Sequence, residues 1–275
     1  MVSLPPDLRA VERVAVAAVY AAGQRIRAAW QGEKRIEHKG ATDIVTETDR
    51  EVEALVIGQL RAAFPEHHIV AEEASAGTLP AAPANDRYVW YLDPLDGTTN
   101  FAHAYPQFAV SLALARGVEP LFGIVHDPIR SETFVARAGH GATLNGIPIH
   151  VSPTADLGQA LLATGFPYDR REHADFYLGF LRAFMVRAQD VRRAGSAALD
   201  LCYVACGRFD GFWEWKLKPW DTAAGVLMVR EAGGTTSDFA GEQFDLYGAQ
   251  TLASNGRLHA ALLQVLYPQL GGAPR

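Results

Sequence analysis

Cysteine is nearly missing from this chain: Cys202 and Cys206 are the only two in 275 residues. Two thiols cannot build a disulfide framework, and a zinc site needs more nitrogen and sulfur ligands than these. Four positions apart in a helix-like run, they read as packing residues on a shared face. Long apolar runs are missing too. No segment reaches the ~18 uncharged apolar residues of a spanning helix. Met1-Val2-Ser3-Leu4-Pro5-Pro6-Asp7 has neither the basic start nor the apolar centre of a secretory signal, and a reducing cytoplasm is the expected compartment. Basic excess is also absent: 25 Lys and Arg against 31 Asp and Glu give a net charge of −6. That disfavours bulk electrostatic capture of nucleic acid. There is no internal repeat and no low-complexity tract.

What is present describes a globular chain with a real core, 49% hydrophobic and 20% charged. Leu8, Val11, Val14, Ala15, Ala18, Ala22 and Ile26 recur at helical spacing and predict a long helix over 7–30. Residues 34–41 read as a turn or hairpin. A second helix is expected over 46–64, with Thr46 as N-cap and Pro65 as its stop. Strand-like runs follow at 68–71, 88–92, 108–115, 121–126 and 133–138, the last three spaced as antiparallel hairpins. Residues 78–85 read as a loop and Asn145-Gly146 as a turn. Beyond Ser152, strands at 160–164, 191–193, 209–214, 235–238 and 251–254 are mixed with helices at 173–189, 196–207, 220–232 and 258–266. This alternation predicts a layered α/β half, residues 153–275, behind an α+β half, residues 1–152, with the active site between them.

One stretch carries more chemistry than the rest: Trp90-Tyr91-Leu92-Asp93-Pro94-Leu95-Asp96-Gly97-Thr98-Thr99-Asn100-Phe101. A short apolar strand runs into two aspartates three residues apart, and a Gly-Thr-Thr step of the kind that opens a helix follows. Paired carboxylates at a strand end offer hard oxygen ligands for Mg²⁺. Free amides at a helix start offer a seat for an anion. Together they suggest a metal-dependent phosphate site. Asp49, Glu72-Glu73 and Asp221 fall at other strand ends or helix starts, where distant segments can converge. Taken singly, Asp49 and Asp221 also suit the positive end of a helix dipole.

The Asp93-to-Thr99 run resembles the signature of the inositol monophosphatase family, lithium-sensitive and magnesium-dependent phosphatases. Further matches extend along most of the chain. They are Lys39 with Asp43-Ile44-Val45-Thr46-Glu47-Thr48-Asp49, Ala71-Glu72-Glu73-Ala74-Ser75, Gly195-Ser196-Ala197-Ala198, and Phe212-Trp213-Glu214 with Lys218-Pro219-Trp220-Asp221-Thr222-Ala223-Ala224-Gly225. Ala71 stands where glycine is common, Leu95 where isoleucine is common, and Trp215-Lys216 is bulkier than the family's usual linker. The resemblance implies alternating αβαβα layers, two or three Mg²⁺ ions and a homodimer.

It also implies roles. Glu72, Asp93 and the Leu95 carbonyl would bind a first Mg²⁺, and Asp93, Asp96 and Asp221 a second. Glu72 and Thr98 would orient the attacking water, with Asp49 bonded to Thr98. Gly97 and Thr98 amides would hold the phosphate. Gly195, Ser196, Ala197, Glu214 and Asp221 would contact the substrate. Lys39 would sit near the entrance or a third metal, or remain a solvated lysine.

The expected activity is hydrolysis of a small phosphate monoester, inositol 1-phosphate first. Histidinol phosphate, fructose 1,6-bisphosphate and a nucleotide 3′-phosphate are alternatives, the last disfavoured by the compact length. Some bacterial relatives bind transcription machinery, so a secondary non-catalytic role is carried beside the enzyme; no membrane partner is expected. Elsewhere the plainer readings lead. Gly139-His140-Gly141 reads as a hairpin turn and His67-His68 as a loop edge. Trp213, Trp215 and Trp220 read as packing, and Arg192-Arg193 as surface residues, with a second anionic group as the other possibility for the arginines.

Overall fold

The computed structural model describes residues 7–30, 32, 34–38, 40, 44–75 and 78–272. Lys39 and Asp43 lie outside the described residues. The amphipathic stripe read at the start folds as α1 (Leu8–Trp30), burying Val11, Ala15, Ala18, Val19, Ala22 and Ile26. β1 (Ile36–His38) pairs antiparallel with β2 (Ile44–Thr46). α2 (Glu47–Ala63) opens on a capping box in which the Asp49 carboxylate takes the Thr46 amide and hydroxyl.

A seven-stranded sheet follows, ordered β3 (His68–Ala71), β4 (Tyr88–Asp96), β5 (Ala109–Arg116), β6 (Glu119–Asp127), β7 (Glu132–Arg137), β8 (Ala142–Leu144), β9 (Ile147–Pro148). β3 runs parallel to β4 and every other neighbouring pair is antiparallel. α3 (Thr98–Ala102) is a single short turn of helix after β4. The second sheet holds β10 (Leu161–Thr164), β11 (Asp190–Arg192), β12 (Gly211–Trp215), β13 (Thr235–Ser237) and β14 (Gln250–Ser254), in the order β11-β10-β12-β14-β13. Its helices are α4 (Ala174–Met185), α5 (Ala197–Ala205), α6 (Pro219–Glu231) and α7 (His259–Leu266).

Three apolar cores separate five layers, αβαβα. Residues of α1 and α2 pack with Trp90, Leu92, Leu112, Leu114, Phe122 and Ile124 on one face of the first sheet. The opposite face, with Val89, Tyr91, Ala113 and Val125, meets α5 and α6, which also touch Ala163, Phe212 and Ala253 of the second sheet. Phe180 and Phe184 of α4 and Leu262 and Leu266 of α7 cover the far side, against Leu162, Trp213 and Leu252. The patterns explain this order. β4 is buried on both faces from Tyr88 to Leu95, as strands between two helical layers must be. Every residue of α5 is buried, which fits a helix enclosed on all sides.

The differences from expectation are local. β4 continues four residues past Leu92, through an irregularity between Asp93 and Asp96. α4 stops at Met185, well before Gln189, because residues 186–189 turn back to present Asp190 to β10. No helix among the described residues is long and apolar enough to cross a membrane.

Candidate active site

The acidic residues converge because of strand register. Ala71 of β3 pairs with Leu92 of β4, and the Glu72 amide donates to the Leu92 carbonyl at 3.1 Å. The two parallel strands therefore deliver Glu72 beside Asp93. On the other side, Asp93 faces Ser111 of β5, whose hydroxyl donates to the Trp220 carbonyl at 3.2 Å. That bond holds the start of α6 over the end of β4 and brings Asp221 to Asp93. Asp221 is the third residue of α6, and its carboxylate accepts the Lys218 amide at 2.6 Å. Asp96 accepts from the Ser196 hydroxyl at 2.6 Å and the Ala198 amide at 2.8 Å, so the start of α5 is pinned to the end of β4.

Glu72, Asp93, Leu95, Asp96, Gly97, Thr98, Gly195, Ser196, Ala197, Glu214 and Asp221 all line one cleft of about 460 Å³. Asp49 stands behind it, fully buried, accepting from the Thr98 hydroxyl at 2.9 Å. The same hydroxyl lies 3.0 Å from the Leu95 carbonyl. Gly97 has φ of 96°, and a Cβ there would lie 2.8 Å from the Gln107 carbonyl, so the turn between β4 and α3 admits only glycine. Asn100 then ties α3 to the opposite wall: its amide nitrogen donates to the carbonyls of Gln107, Ala194 and Gly195 at 2.7, 2.9 and 3.2 Å.

The electrostatics are those of crowded acids. Burial first, then Glu72, Asp96 and Asp221, pushes the Asp93 carboxyl well above the usual range. Asp221 is raised by burial and by Glu72. Burial lifts Asp96 to about 6 against the pull of Ser196 and the α5 amides, and lifts Asp49 to about 6 against the bonds from Thr46 and Thr98. Glu214 is pushed up to about 8, chiefly by burial. Its carboxylate fills the space where Gly165 has no side chain.

Among the described residues, no three His, Cys, Asp or Glu are close enough to hold an ion as they stand. The donor set nevertheless suits a hard cation: carboxylates and one backbone carbonyl, buried, with no compensating Lys or Arg among the causes that set Asp93, Asp96 or Asp221.

Several residues of the cleft escaped the sequence reading. The loop after β10 lines it with Phe166, Pro167, Tyr168, Asp169 and Arg170. Arg193, read as a surface residue with a second anionic group as the other possibility, is exposed and lines the cleft, while the equally exposed Arg192 is paired with Asp190 at 2.5 Å. Asp200 lies buried nearby with one oxygen unpartnered among the described residues. Glu73 is tied through its amide to Glu53 at 2.8 Å and is not among the cleft residues. The tryptophans pack as read: Trp213 on Phe184, Trp215 among Phe176, Phe180 and Phe239, and Trp220 in the central core. His67 does more than edge a loop, since its ring accepts the Trp90 indole N–H at 3.1 Å.

Residues 7–269 match the sequence profile of the inositol monophosphatase family. The chain belongs to that family. It is a phosphoric monoester hydrolase. An inositol-1-monophosphatase from Synechocystis is 45% identical over 263 residues, covering 95% of this chain and 90% of the relative. A protein named Nus factor SuhB from Vibrio cholerae is 42% identical, covering 91% of this chain and 93% of its own. The solved inositol monophosphatase of Anabaena superposes with a TM-score of 0.84 at 40% identity, over 96% of this chain and 97% of that one.

Proposed function

We propose that this family member hydrolyses inositol 1-phosphate to inositol and phosphate with Mg²⁺. The carrying observation is that β3, β4 and α6 bring Glu72, Asp93, Asp96 and Asp221 into one cleft with Thr98 and Glu214. Glu72, Asp93, the Leu95 carbonyl, Asp96 and Asp221 would hold the metal, which when bound supplies charge to the phosphoryl oxygens and acidity to water. The protein's own share is positioning. Asp49 fixes the Thr98 hydroxyl, and Thr98 with Glu72 orients the attacking water and accepts its proton. The amides of Gly97 and Thr98 seat the phosphate. Ser196 and the α5 amides hold Asp96 at the floor of the cleft. Glu214, lifted to about 8, is mostly neutral near pH 7, so it donates one hydrogen bond to a polyol and accepts others. Positioning and electrostatics of this kind carry most of phosphoryl transfer.

The test is a phosphate-release screen over inositol, histidinol, fructose and adenosine phosphates, with Mg²⁺ and with a chelator. Release from inositol 1-phosphate only with Mg²⁺ supports the assignment; preference for another alcohol reassigns the substrate. Kinship with a Nus factor over nearly the whole chain motivates a second reading, binding to transcription machinery apart from catalysis. Co-purification with transcription complexes, retained by Asp96→Asn, supports it; no co-purification removes it.

A further inference from the structure

We propose that Lys216 and Asp169 form a latch across the mouth of the cleft, and that this latch selects phosphate esters of compact alcohols over those with a bulky substituent. The proposal rests on the phosphatase reading above and narrows its substrate class to small polyol phosphates. Both residues line the cleft. The Lys216 ammonium meets the Asp169 carboxylate at 2.5 Å.

The strand topology leaves a gap for such a latch to close. β10 and β12 run parallel, with Thr164 opposite Trp213, and the Thr164 hydroxyl donates to the Trp213 carbonyl at 2.7 Å. Beyond that pair the two chains part: residues 165–173 lead to α4 and residues 216–218 to α6. A crevice at the carboxyl ends of parallel strands is where α/β sheets bind small ligands. Glu214 lies inside it, buried against Gly165. Further along both chains the Lys216–Asp169 pair joins the two sides, with side chains 41% and 24% exposed. The pair therefore sits at the rim, outward of the buried Glu214.

Each half is held by its own element. The Asp169 carboxylate also accepts the Tyr177 hydroxyl at 2.8 Å, and Tyr177 is buried on α4. The His173 imidazole stands 3.8 Å from the oxygen that meets Lys216. Against burial, the bonds from Lys216 and Tyr177 keep the Asp169 carboxyl below its ordinary value, so it is charged when it meets the ammonium. On the other side, Trp215 packs against Phe176 and Phe180 of α4, and the Lys216 amide donates to the Ala249 carbonyl at 2.6 Å. Lys216 has φ of 64°, in the left-handed region that glycine enters without strain and lysine does not. Among the described non-glycine residues with such a φ, it alone lines the cleft. Strain at a cleft residue points to a functional contact, and here the contact is the one that spans the mouth.

The experiment measures kcat and KM with Mg²⁺ for inositol 1-phosphate and adenosine 2′-phosphate, two secondary-alcohol esters with one phosphate each that differ chiefly in bulk. The proteins are the wild type, Lys216→Gly, Lys216→Arg, Asp169→Asn and the Lys216→Gly/Asp169→Asn double variant. Glycine adopts the left-handed turn freely, so Lys216→Gly keeps the fold. The wild type should favour inositol 1-phosphate in kcat/KM by about tenfold or more. Lys216→Gly and Asp169→Asn should each cut that preference by roughly fivefold, the upper range for an exposed pair, through a lower KM for the nucleotide. The double variant should match the singles, since either one already opens the latch, and Lys216→Arg should keep the wild-type preference. No preference in the wild type, single effects that add, or a preference that survives Lys216→Gly would each overturn the proposal. If neither ester releases phosphate, the phosphatase reading fails by itself, and the same preference read from calorimetric binding still decides the latch.

Discussion

Raising the pH should destabilise this protein when divalent metal is withheld. The cause is most tractable at Asp49, which is fully buried and whose carboxyl is lifted from 3.8 to about 6 by that burial. A folded-state pKa above the unfolded one means the folded chain holds the proton more tightly. The stabilisation is complete below pH ~4, where both states are protonated, and is lost as pH rises through about 6. A shift of roughly two units corresponds to about 3 kcal/mol, a large part of the ~5–15 kcal/mol that usually holds a protein folded.

Asp96 is shifted in the same direction to about 6, and Glu214 carries the loss on towards pH 8. Acids lowered by partners, such as the half-buried Asp169 and the exposed Asp190, act in the opposite sense, but their ion pairs lie at the surface and contribute little. Urea unfolding in a chelator at pH 5 and pH 8 reads the sum. The midpoint should fall on going to pH 8, and Mg²⁺ should restore much of it by favouring the charged carboxylates of Asp93, Asp96 and Asp221. Asp49→Asn should flatten the pH dependence, whatever it does to absolute stability. A midpoint that holds or rises between pH 5 and 8 without metal would refute the reasoning.

Asp96→Asn should keep the fold, because an amide oxygen still accepts from Ser196 and Ala198, while kcat falls by about a hundredfold or more; circular dichroism and phosphate release check the two halves. Gly165→Ala places a methyl where the Glu214 carboxylate lies. It should raise KM for inositol 1-phosphate more than for an aryl phosphate, as should Glu214→Gln, and equal effects on both substrates would remove Glu214 from recognition. Asn100→Ala frees three carbonyls between α3 and the residue 194–195 wall. It should cost roughly 1–3 kcal/mol in urea unfolding and lower kcat through the loosened phosphate seat.

Much of the fold could be read from local signals. The α1 stripe, the Thr46 cap with Pro65, and the strand runs from Tyr88 onward each depend on neighbours within a few residues. The site was legible for a second reason: its acids sit at strand ends and helix starts. Asp49 and Asp221 show that the plain and functional readings need not compete. Each is the third residue of its helix and accepts the backbone amide of the N-cap residue, and each is thereby fixed beside the cleft. What the sequence hides is long-range. Nothing local says that Gly165 must lack a side chain for Glu214, or that Ser111 holds α6 over Asp93. Arg192 and Arg193 are both exposed, and only the path of the chain after the edge strand puts Arg193 at the cleft.

The central claim is that Glu72, Asp93, Asp96 and Asp221 hold divalent cations beside a phosphoryl group. Crystals grown with Mn²⁺ and phosphate test it most directly through anomalous scattering. Peaks among these four carboxylates, with phosphate against the Gly97 and Thr98 amides, are the expected result. Manganese bound elsewhere, or a cleft that takes up phosphate but no manganese, would contradict the account.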